Sequence, residues 1–146
     1  MNINKFTQKS MEAVQNCEKL AYEFGNQEID QEHLLKSLID QEDGLILKLI
    51  EKMEINTAHF SNRVTEYLNK KVKVQGGDLR ISNDLNKVLI TAEDEAKAMG
   101  DEYVSVEHLF LSLLKYPNKA MKELFKEYGI TRDRFLTALS TVRGNQ

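Results

Sequence analysis

Two glutamate–histidine pairs are the residues with the most evident chemical potential. Glu32-His33 and Glu107-His108 each head an apolar run, in "EIDQEHLLKSL" and "YVSVEHLFLSL", and lie 75 positions apart. A histidine beside a glutamate is typical of general-base catalysis or of metal binding. A zinc site of the His-Glu-x-x-His type, however, needs both histidines on one helix face. Each histidine is alone on its predicted helix, so we expect both to be structural, bonded to nearby backbone or packed between helices.

The two glutamates permit two interpretations. Both lie in the first turn of a predicted helix, where a carboxylate interacts favourably with the helix dipole by roughly 0.3–1 kcal/mol. That interaction alone would explain why Glu32 recurs as Glu107. Alternatively, two partly exposed carboxylates at pseudo-symmetric positions could hold a cationic group of a partner. The sequence leaves both interpretations open.

The remaining residue types argue against catalysis. The one cysteine, Cys17, falls in an apolar helical pattern and is matched by Ala92 in the second copy, which favours a place in the core. A single thiol provides neither a disulfide framework nor a thiolate metal site. The chain also has no G-x-S-x-G elbow and no G-x-x-x-x-G-K-[ST] phosphate loop. We therefore predict a chain that is not an enzyme and that binds no metal or other cofactor.

Composition excludes further classes of partner. The 146 residues are 41% hydrophobic and 29% charged, with a formal net charge of -3. That balance is ordinary for a soluble protein and wrong for one that must neutralise nucleic-acid phosphates. The opening "MNINKFTQKS" lacks the apolar core of a signal peptide, and no run approaches the roughly 18 apolar residues that span a bilayer. We expect a cytoplasmic protein with no nucleic-acid or membrane partner.

A repeat with an offset of 75 residues organises the chain. Glu18 recurs as Glu93 and Phe60 as Phe135, and no gap is needed between the copies. Only one proline interrupts long stretches of good helix formers, and apolar residues follow the i, i+3/i+4, i+7 spacing of buried helix faces. The sequence therefore predicts an all-α fold of eight helices, arranged as a pseudo-twofold tandem repeat of two four-helix units.

The halves are too small to be separate domains. Each has about 60 residues and would leave an apolar face exposed unless it packed on its sibling. We predict one domain over residues 1–146, with repeats at about 6–68 and 81–143 joined by a flexible, basic loop at 70–80. Within each repeat the second helix is predicted to follow Asp30 and Ser105, the third to start near Asp43 and Asn118, and the fourth near Thr57 and Arg132; Thr7 and Ser82 cap the first.

One position breaks the repeat in a way that concerns the backbone. Gly129 closes the third helix of the second copy, whereas the first copy has Glu54 there. Glycine adopts left-handed conformations freely and glutamate does not. The two turns are therefore free to differ in backbone conformation.

Several segments together resemble a known family. They are "FTQKS", "FGNQEIDQEHLL", "KVQGG", "GDEYVSVEHLFLSLL" and the closing "VRGNQ". In this combination they resemble the amino-terminal Clp repeat domain of ClpB-type, ATP-dependent protein disaggregases, from Met1 to Gln146. Such a domain precedes a linker and two ATPase modules in a homohexameric ring that works with the DnaK chaperone system. The resemblance implies binding of unfolded or aggregated polypeptide in a shallow apolar groove.

The resemblance also suggests site residues. Thr7 in "KFT", Asp101 in "GDEY" and Glu107 in "SVEHL" match polar residues tied to substrate binding in the family. Thr7 is also a predicted helix cap, and Asp101 follows a glycine that closes a helix, so structural roles are equally visible. Val14 and Leu89, repeat equivalents on the two first helices, are candidate groove residues, although core packing explains them as well.

Two other functions stay open. In the related ClpC and ClpA unfoldases similar domains dock adaptor proteins, and in ClpC glutamates matching Glu32 and Glu107 recognise phosphorylated arginine. The lead-in residues here, "IDQEH" and "VSVEH", differ from the glycine-threonine pattern of ClpC. The third hypothesis is a freestanding helical enzyme or metal protein that uses the two histidines.

Overall fold

The computed structural model describes residues 2–143, and within them it confirms an all-α fold of eight helices. A short 3-10 helix and two two-residue strands, which the sequence did not predict, accompany them. The elements are a 3-10 helix at Ile3–Lys5, α1 (Gln8–Glu23), β1 (Glu28–Ile29), α2 (Gln31–Asp40), α3 (Leu45–Lys52), α4 (Thr57–Asn69), β2 (Arg80–Ile81), α5 (Asn83–Ala98), α6 (Val106–Lys115), α7 (Lys119–Tyr128) and α8 (Arg132–Arg143). Gly144–Gln146, the end of the "VRGNQ" segment, lie outside the described residues.

Helix caps appear largely where the sequence placed them. The Thr7 side chain accepts a hydrogen bond from the Ser10 amide at 3.2 Å and so caps α1. Ser82 caps α5 in the same way. In contrast, α3 begins after Gly44 without a side-chain cap. Asp43 precedes this start but does not cap it, because its backbone turns into the left-handed region with φ 52°.

Backbone pairing crosses between the repeats. In the parallel pair of β1 and β2, Ile29 lies opposite Ile81. A second parallel bridge joins Phe6 to Val104. Ile29 and Val104 are equivalent positions of the two repeats, as are Phe6 and Ile81. The segment that precedes the second helix of each repeat therefore pairs with the segment that precedes the first helix of the other repeat.

The first and second helices of each repeat are joined by a recurring serine. The Ser37 hydroxyl donates to the Ala13 carbonyl at 2.6 Å, and the equivalent Ser112 donates to Val88 at 2.8 Å. All four residues are buried, and they belong to or border one continuous apolar core that draws on both repeats. A buried hydroxyl needs such a partner, which gives a physical reason for the recurrence of serine at this position.

A buried amide links the repeats on one side only. Gln31, fully buried, donates from Nε2 to the carbonyls of Asp84 at 3.0 Å and Tyr116 at 2.8 Å, and its Oε1 accepts from the Asn118 amide at 2.7 Å. All three partners belong to the second repeat. The equivalent residue there is Val106, so this link has no symmetric counterpart.

The connecting loop is tied to the first repeat. Lys71 Nζ lies 2.7 Å from a Glu32 carboxylate oxygen. Lys73 Nζ donates to the Phe24 carbonyl at 2.8 Å, and the Val74 amide donates to the Gly25 carbonyl at 2.9 Å. These contacts attach residues 71–74 of the loop to the first repeat.

The turns after α3 and α7 share one backbone conformation. Glu54 and Gly129 both have φ 62°. The sequence allowed these turns to differ, but packing of the equivalent helices imposes the same left-handed turn on both. Glutamate thus sits in a conformation that costs a residue with a Cβ on the order of 1 kcal/mol.

Replacing Glu54 by glycine should therefore stabilise the protein. We expect Glu54→Gly to raise the free energy of unfolding by about 0.5–1 kcal/mol, since relief of the left-handed strain exceeds the added freedom of the unfolded chain. Urea denaturation at neutral pH measures the change. Lys48→Gly, at an exposed position inside α3, is the matched control and should lower stability by about 0.5–1 kcal/mol. Equal effects of the two changes would contradict the assignment of strain.

Candidate functional site

The two histidines close reciprocal capping boxes. His33 Nδ1 accepts a hydrogen bond from the Asp30 amide at 2.9 Å, and His108 Nδ1 accepts from the Ser105 amide at 2.8 Å. Both rings are fully buried. Because Nδ1 accepts, Nε2 carries the ring proton, and that of His33 faces the Asn26 side-chain oxygen at 2.9 Å. The structural role expected for both histidines is confirmed.

The second repeat places a charge where the first has an amide. Asp101 is the equivalent of Asn26, and its carboxylate accepts from His108 Nε2 at 2.7 Å and from Arg143 at 2.8 Å. The Arg143 guanidinium, and to a smaller extent His108, hold the pKa of Asp101 below its usual value. The carboxylate is consequently ionised and oriented at neutral pH.

Glu32 and Glu107 are buried rather than partly exposed. Glu107 lies 2.8 Å from Arg143, and Glu32 lies 2.7 Å from Lys71. Glu32 also accepts from the Asn118 side-chain amide at 2.7 Å. Each repeat thus neutralises its own first-turn carboxylate with a cation from the end of its fourth helix or just beyond it. Recognition of a partner's cation by either glutamate would have to displace that internal cation.

Thr7, Asp101 and Glu107 converge on the connection between α5 and α6. The Thr7 amide donates to the Val104 carbonyl at 2.9 Å, and Val104 lies between the other two along the chain. Asp101 and Glu107 share Arg143. We call Thr7, Asp101, Glu107 and Arg143 the polar cluster; it fastens this connection to α1 on one side and to the end of α8 on the other.

Val14 and Leu89 line a different feature, an apolar groove where the repeats meet. The groove has a volume of about 190 Å³ between α1 and α5. Val14 is half-buried, whereas Leu89 is only 2% exposed and serves the core as well. We call this the inter-repeat groove; its apolar lining is Val14, Cys17, Ile29, Ile81, Leu85 and Leu89, and the exposed Gln15 and Glu18 complete it.

Cys17 contributes to the groove as an apolar side chain. It is 3% exposed, and burial raises the pKa of its thiol to about 12. A thiol with such a pKa is protonated at physiological pH and is a poor nucleophile. Its predicted place in the core is confirmed.

The structure does not bring all the predicted site residues together. None of Thr7, Asp101 and Glu107 lines the inter-repeat groove. Ile29 and Ile81 were not predicted as groove residues, because each lies in a two-residue strand outside the helical periodicity. The repeat offset was the available signal: it equates Ile81 with Phe6, an apolar residue immediately before α1.

A larger cavity, of about 530 Å³, lies between α3 and α8. Charged side chains such as Lys52 and Asp133 line it, and its arginine is already engaged. Arg134 donates to the carbonyls of Gly129, at 2.6 Å, and Met53. Both cavities lie between the two repeats. We place the candidate site at the smaller groove, because six of the eight residues that line it are apolar and because it contains the predicted residues Val14 and Leu89.

The comparison with known families decides the family. Residues 5–128 match the model of the Clp repeat N-terminal domain. The chain belongs to the Clp repeat N-terminal domain family. As a member of this family it consists of a domain that is not catalytic, and the resemblance noted in the sequence is confirmed.

Individual relatives agree with this assignment. The Clp repeat domain is 39% identical to the chaperone protein ClpB of Nitratidesulfovibrio vulgaris over 152 aligned positions, which cover all of this chain and 18% of that relative. It superposes on the Hsp104 N-terminal domain of Candida albicans with a TM-score of 0.83 and 26% identity, covering 97% of this chain and 93% of the other. The ClpV N-domain in complex with a VipB peptide has the same fold, at a TM-score of 0.75 and 19% identity over 94% and 86% of the two chains.

Two further findings concern other kinds of site. Across residues 2–143 the Clp repeat domain has no cluster of three or more histidine, cysteine, aspartate or glutamate side chains that could hold a metal ion. None of the helices in the same range has the length and apolar character needed to cross a membrane.

The buried His33 should make stability depend on pH. Burial, aided by repulsion from Lys71, lowers the pKa of His33 from 6.5 to about 4. As the pH falls, the unfolded chain therefore takes up a proton before the folded one does. The contribution of His33 to the free energy of unfolding is fully present above pH 6.5 and is lost as the pH falls towards 4. At 1.36 kcal/mol per pKa unit, we expect a loss of about 3 kcal/mol from this residue over that range.

NMR titration of the imidazole signals checks this directly. A His33→Gln variant, whose side chain does not titrate, should show a smaller loss of unfolding free energy between pH 6.5 and 4. A His33 ring that titrated near 6.5 would contradict the expected burial penalty.

Proposed function

We propose that this Clp repeat domain captures extended apolar segments of unfolded or aggregated polypeptide in the inter-repeat groove. The observation that supports the proposal is an apolar groove formed jointly by both repeats, with Val14 and Ile81 accessible at its surface. The domain fold supports it as well, because the ClpV N-domain of the same fold has been solved with a bound VipB peptide. The proposed activity is binding, with no chemical step.

The dimensions of the groove suit weak binding. Each client side chain fully buried there contributes roughly 1.5–3 kcal/mol, from which the cost of ordering a flexible segment is subtracted. A groove of about 190 Å³ accommodates few such side chains. Affinities in the micromolar to millimolar range follow, and release is correspondingly easy.

Weak binding suits the larger assembly that we propose. This chain spans only about 18% of the ClpB relative it matches. In a ClpB-type protein the domain would present clients to ATP-driven threading modules, in a cytoplasmic homohexamer that cooperates with the DnaK chaperone system. Several linked copies gain avidity without tight binding at any one of them.

The polar cluster has a supporting role in this proposal. The Thr7 main-chain amide donates to the Val104 carbonyl, and Val104 forms a parallel bridge with Phe6. Asp101 and Glu107 anchor the same connection to Arg143. We infer that these residues maintain the relative position of α1 and α5, and thereby the width of the groove, and that Val14 and Leu89 contact the client.

Polar substitution of Val14 tests the groove. We expect Val14→Ser to weaken binding of an unfolded client peptide about tenfold, since a contact of roughly 1.5 kcal/mol is lost. Chemical-shift titration of isotope-labelled domain with the peptide gives both the affinity and the location. Because Val14 is half-buried rather than fully buried, the fold should survive the change.

Val72→Ser is the matched control. Val72 is 80% exposed and lies in the loop, outside the groove lining. It should leave the affinity unchanged. Equal effects of the two substitutions, or peptide-induced shifts confined to surfaces away from Val14 and Leu89, would reject the groove as the binding site.

Recognition of phosphorylated arginine is the second candidate function. The observation in its favour is that Glu107 and Asp101 already hold the guanidinium of Arg143, so their geometry accepts such a group. The same observation weakens it, because the internal cation must leave first. With Lys71 on Glu32 as well, we expect calorimetry to detect no phosphoarginine binding tighter than millimolar. Micromolar binding that Glu107→Gln abolished would favour this function over client capture.

A further inference from the structure

The outer edge of β2 is open. The amides of Arg80 and Ser82 donate to the carbonyls of Gln27, at 3.1 Å, and Ile29, at 2.9 Å, so these two residues face β1. Successive residues of a strand direct their backbone groups to opposite edges. The amide and carbonyl of Ile81 therefore point away from β1, and neither has a hydrogen-bond partner among residues 2–143.

The equivalent edge in the other repeat is covered by the chain itself. The Phe6 amide donates to the Ile3 carbonyl at 3.1 Å, within the short helix Ile3–Lys5. Phe6 is 7% exposed, whereas Ile81, its repeat equivalent, is 49% exposed. No such turn precedes Ile81, so the pseudo-twofold symmetry is broken at this edge: one copy is closed and the other is available.

The open edge adjoins the inter-repeat groove. Ile81 lines the groove through its side chain while its backbone groups lie at the strand edge. Ile29, in register with Ile81, lines the same groove. A third strand placed beside β2 would project the side chain opposite Ile81 onto that same face, next to Ile81 and above the groove.

We propose that the groove holds its client as an added β-strand, paired with the amide and carbonyl of Ile81. This mode of binding rests on the proposed function and specifies it: the ligand is an extended polypeptide with apolar residues at alternate positions, recognised through its main chain. Recognition of main-chain groups is independent of sequence, and the groove adds a preference for one apolar side chain. Unfolded segments offer such free main-chain groups, whereas folded proteins have already paired theirs.

A second copy of the chain fits the edge less well. Stable association of two folded proteins buries about 1,000 Å² or more. A strand of two residues offers a single amide and carbonyl pair at its outer edge, which suits a thin, extended ligand rather than another folded domain.

Main-chain methylation of the ligand tests the proposal. The probe is a short peptide of alternating valine and threonine with a lysine at each end, prepared unmodified and with N-methyl groups on either the valines or the threonines. One methylated set should bind at least about tenfold more weakly than the parent, since it removes the ligand amide that donates to the Ile81 carbonyl, and the other should bind like the parent. Chemical-shift titration of labelled domain provides the affinities.

Substitution of Ile81 tests the other hydrogen bond of the pair, in which the Ile81 amide donates to a ligand carbonyl. Ile81→Pro removes the unpaired amide without breaking a hydrogen bond of the fold, and the extended conformation of Arg80 suits a following proline. We expect about tenfold weaker peptide binding. Ile81→Val keeps the amide and an apolar side chain, and it should weaken peptide binding much less than Ile81→Pro does. In the wild-type complex the Ile81 amide should become protected from hydrogen exchange.

The outcomes separate this proposal from the one on which it rests. Strand addition is overturned if the peptide binds at Val14 and Leu89, neither methylated set weakens that binding, and the Ile81 amide stays unprotected from hydrogen exchange. This result leaves client capture intact. Absence of peptide binding at the groove overturns both. If protection of the Ile81 amide from hydrogen exchange rises with protein concentration in the absence of peptide, the edge mediates self-association and the proposal is overturned. Should Ile81→Pro fail to fold, the methylated peptides with wild-type protein still decide.

Discussion

Crossed pairing of main-chain segments is the constraint on which the rest of this structure depends. Val104 accepts from the Thr7 amide and donates to the Lys5 carbonyl at 2.7 Å, while Ile29 accepts from Ser82. The segment that precedes α1 is thus held by the second repeat, and the segment that precedes α5 by the first. Because α1 and α5 start from these segments, they cannot separate without the loss of main-chain hydrogen bonds in both repeats. The groove between them is consequently a fixed feature of the fold.

The doubled Glu-His motif serves this construction. Each histidine closes a capping box at the start of a second helix, directly after a paired segment. Each glutamate binds a cation delivered from the end of its own repeat, Lys71 for Glu32 and Arg143 for Glu107. Residue types that suit catalysis in an open cleft are here buried and satisfied by neighbouring groups. Among the described residues, no buried polar side-chain atom lacks a hydrogen-bond partner.

The departures from twofold symmetry bear on the proposed binding of clients more than the symmetric features do. A closed edge at Phe6 contrasts with an open edge at Ile81, although the backbone bridges themselves are equivalent. A buried glutamine, Gln31, holds the repeats together on one side, where the other side has Val106. A duplicated fold can thus keep one copy of a feature for stability and leave the other free for recognition.

Much of this architecture could be predicted from the sequence. The 75-residue offset, the i, i+3/i+4 apolar spacing and the capping residues determine local structure, and local structure depends on residues a few positions apart. The eight helices, the burial of Cys17 and the structural role of His33 and His108 followed from such patterns. The recurrence of Val14 as Leu89 also identified two groove residues, because repeat equivalents at a pseudo-twofold axis approach each other.

Only the tertiary structure decided which of the candidate polar residues contact one another and whether an internal cation already occupies them. Glu32 and Glu107 looked partly exposed in the sequence, but their cations arrive from Lys71 and Arg143, more than thirty positions away. The short pairing of Ile29 with Ile81 likewise spans the two repeats and leaves no helical or alternating signal. Sequence periodicity indicates the face of a helix or strand on which a residue lies. Burial, ion pairing and an open strand edge depend on which distant parts of the chain pack against that face.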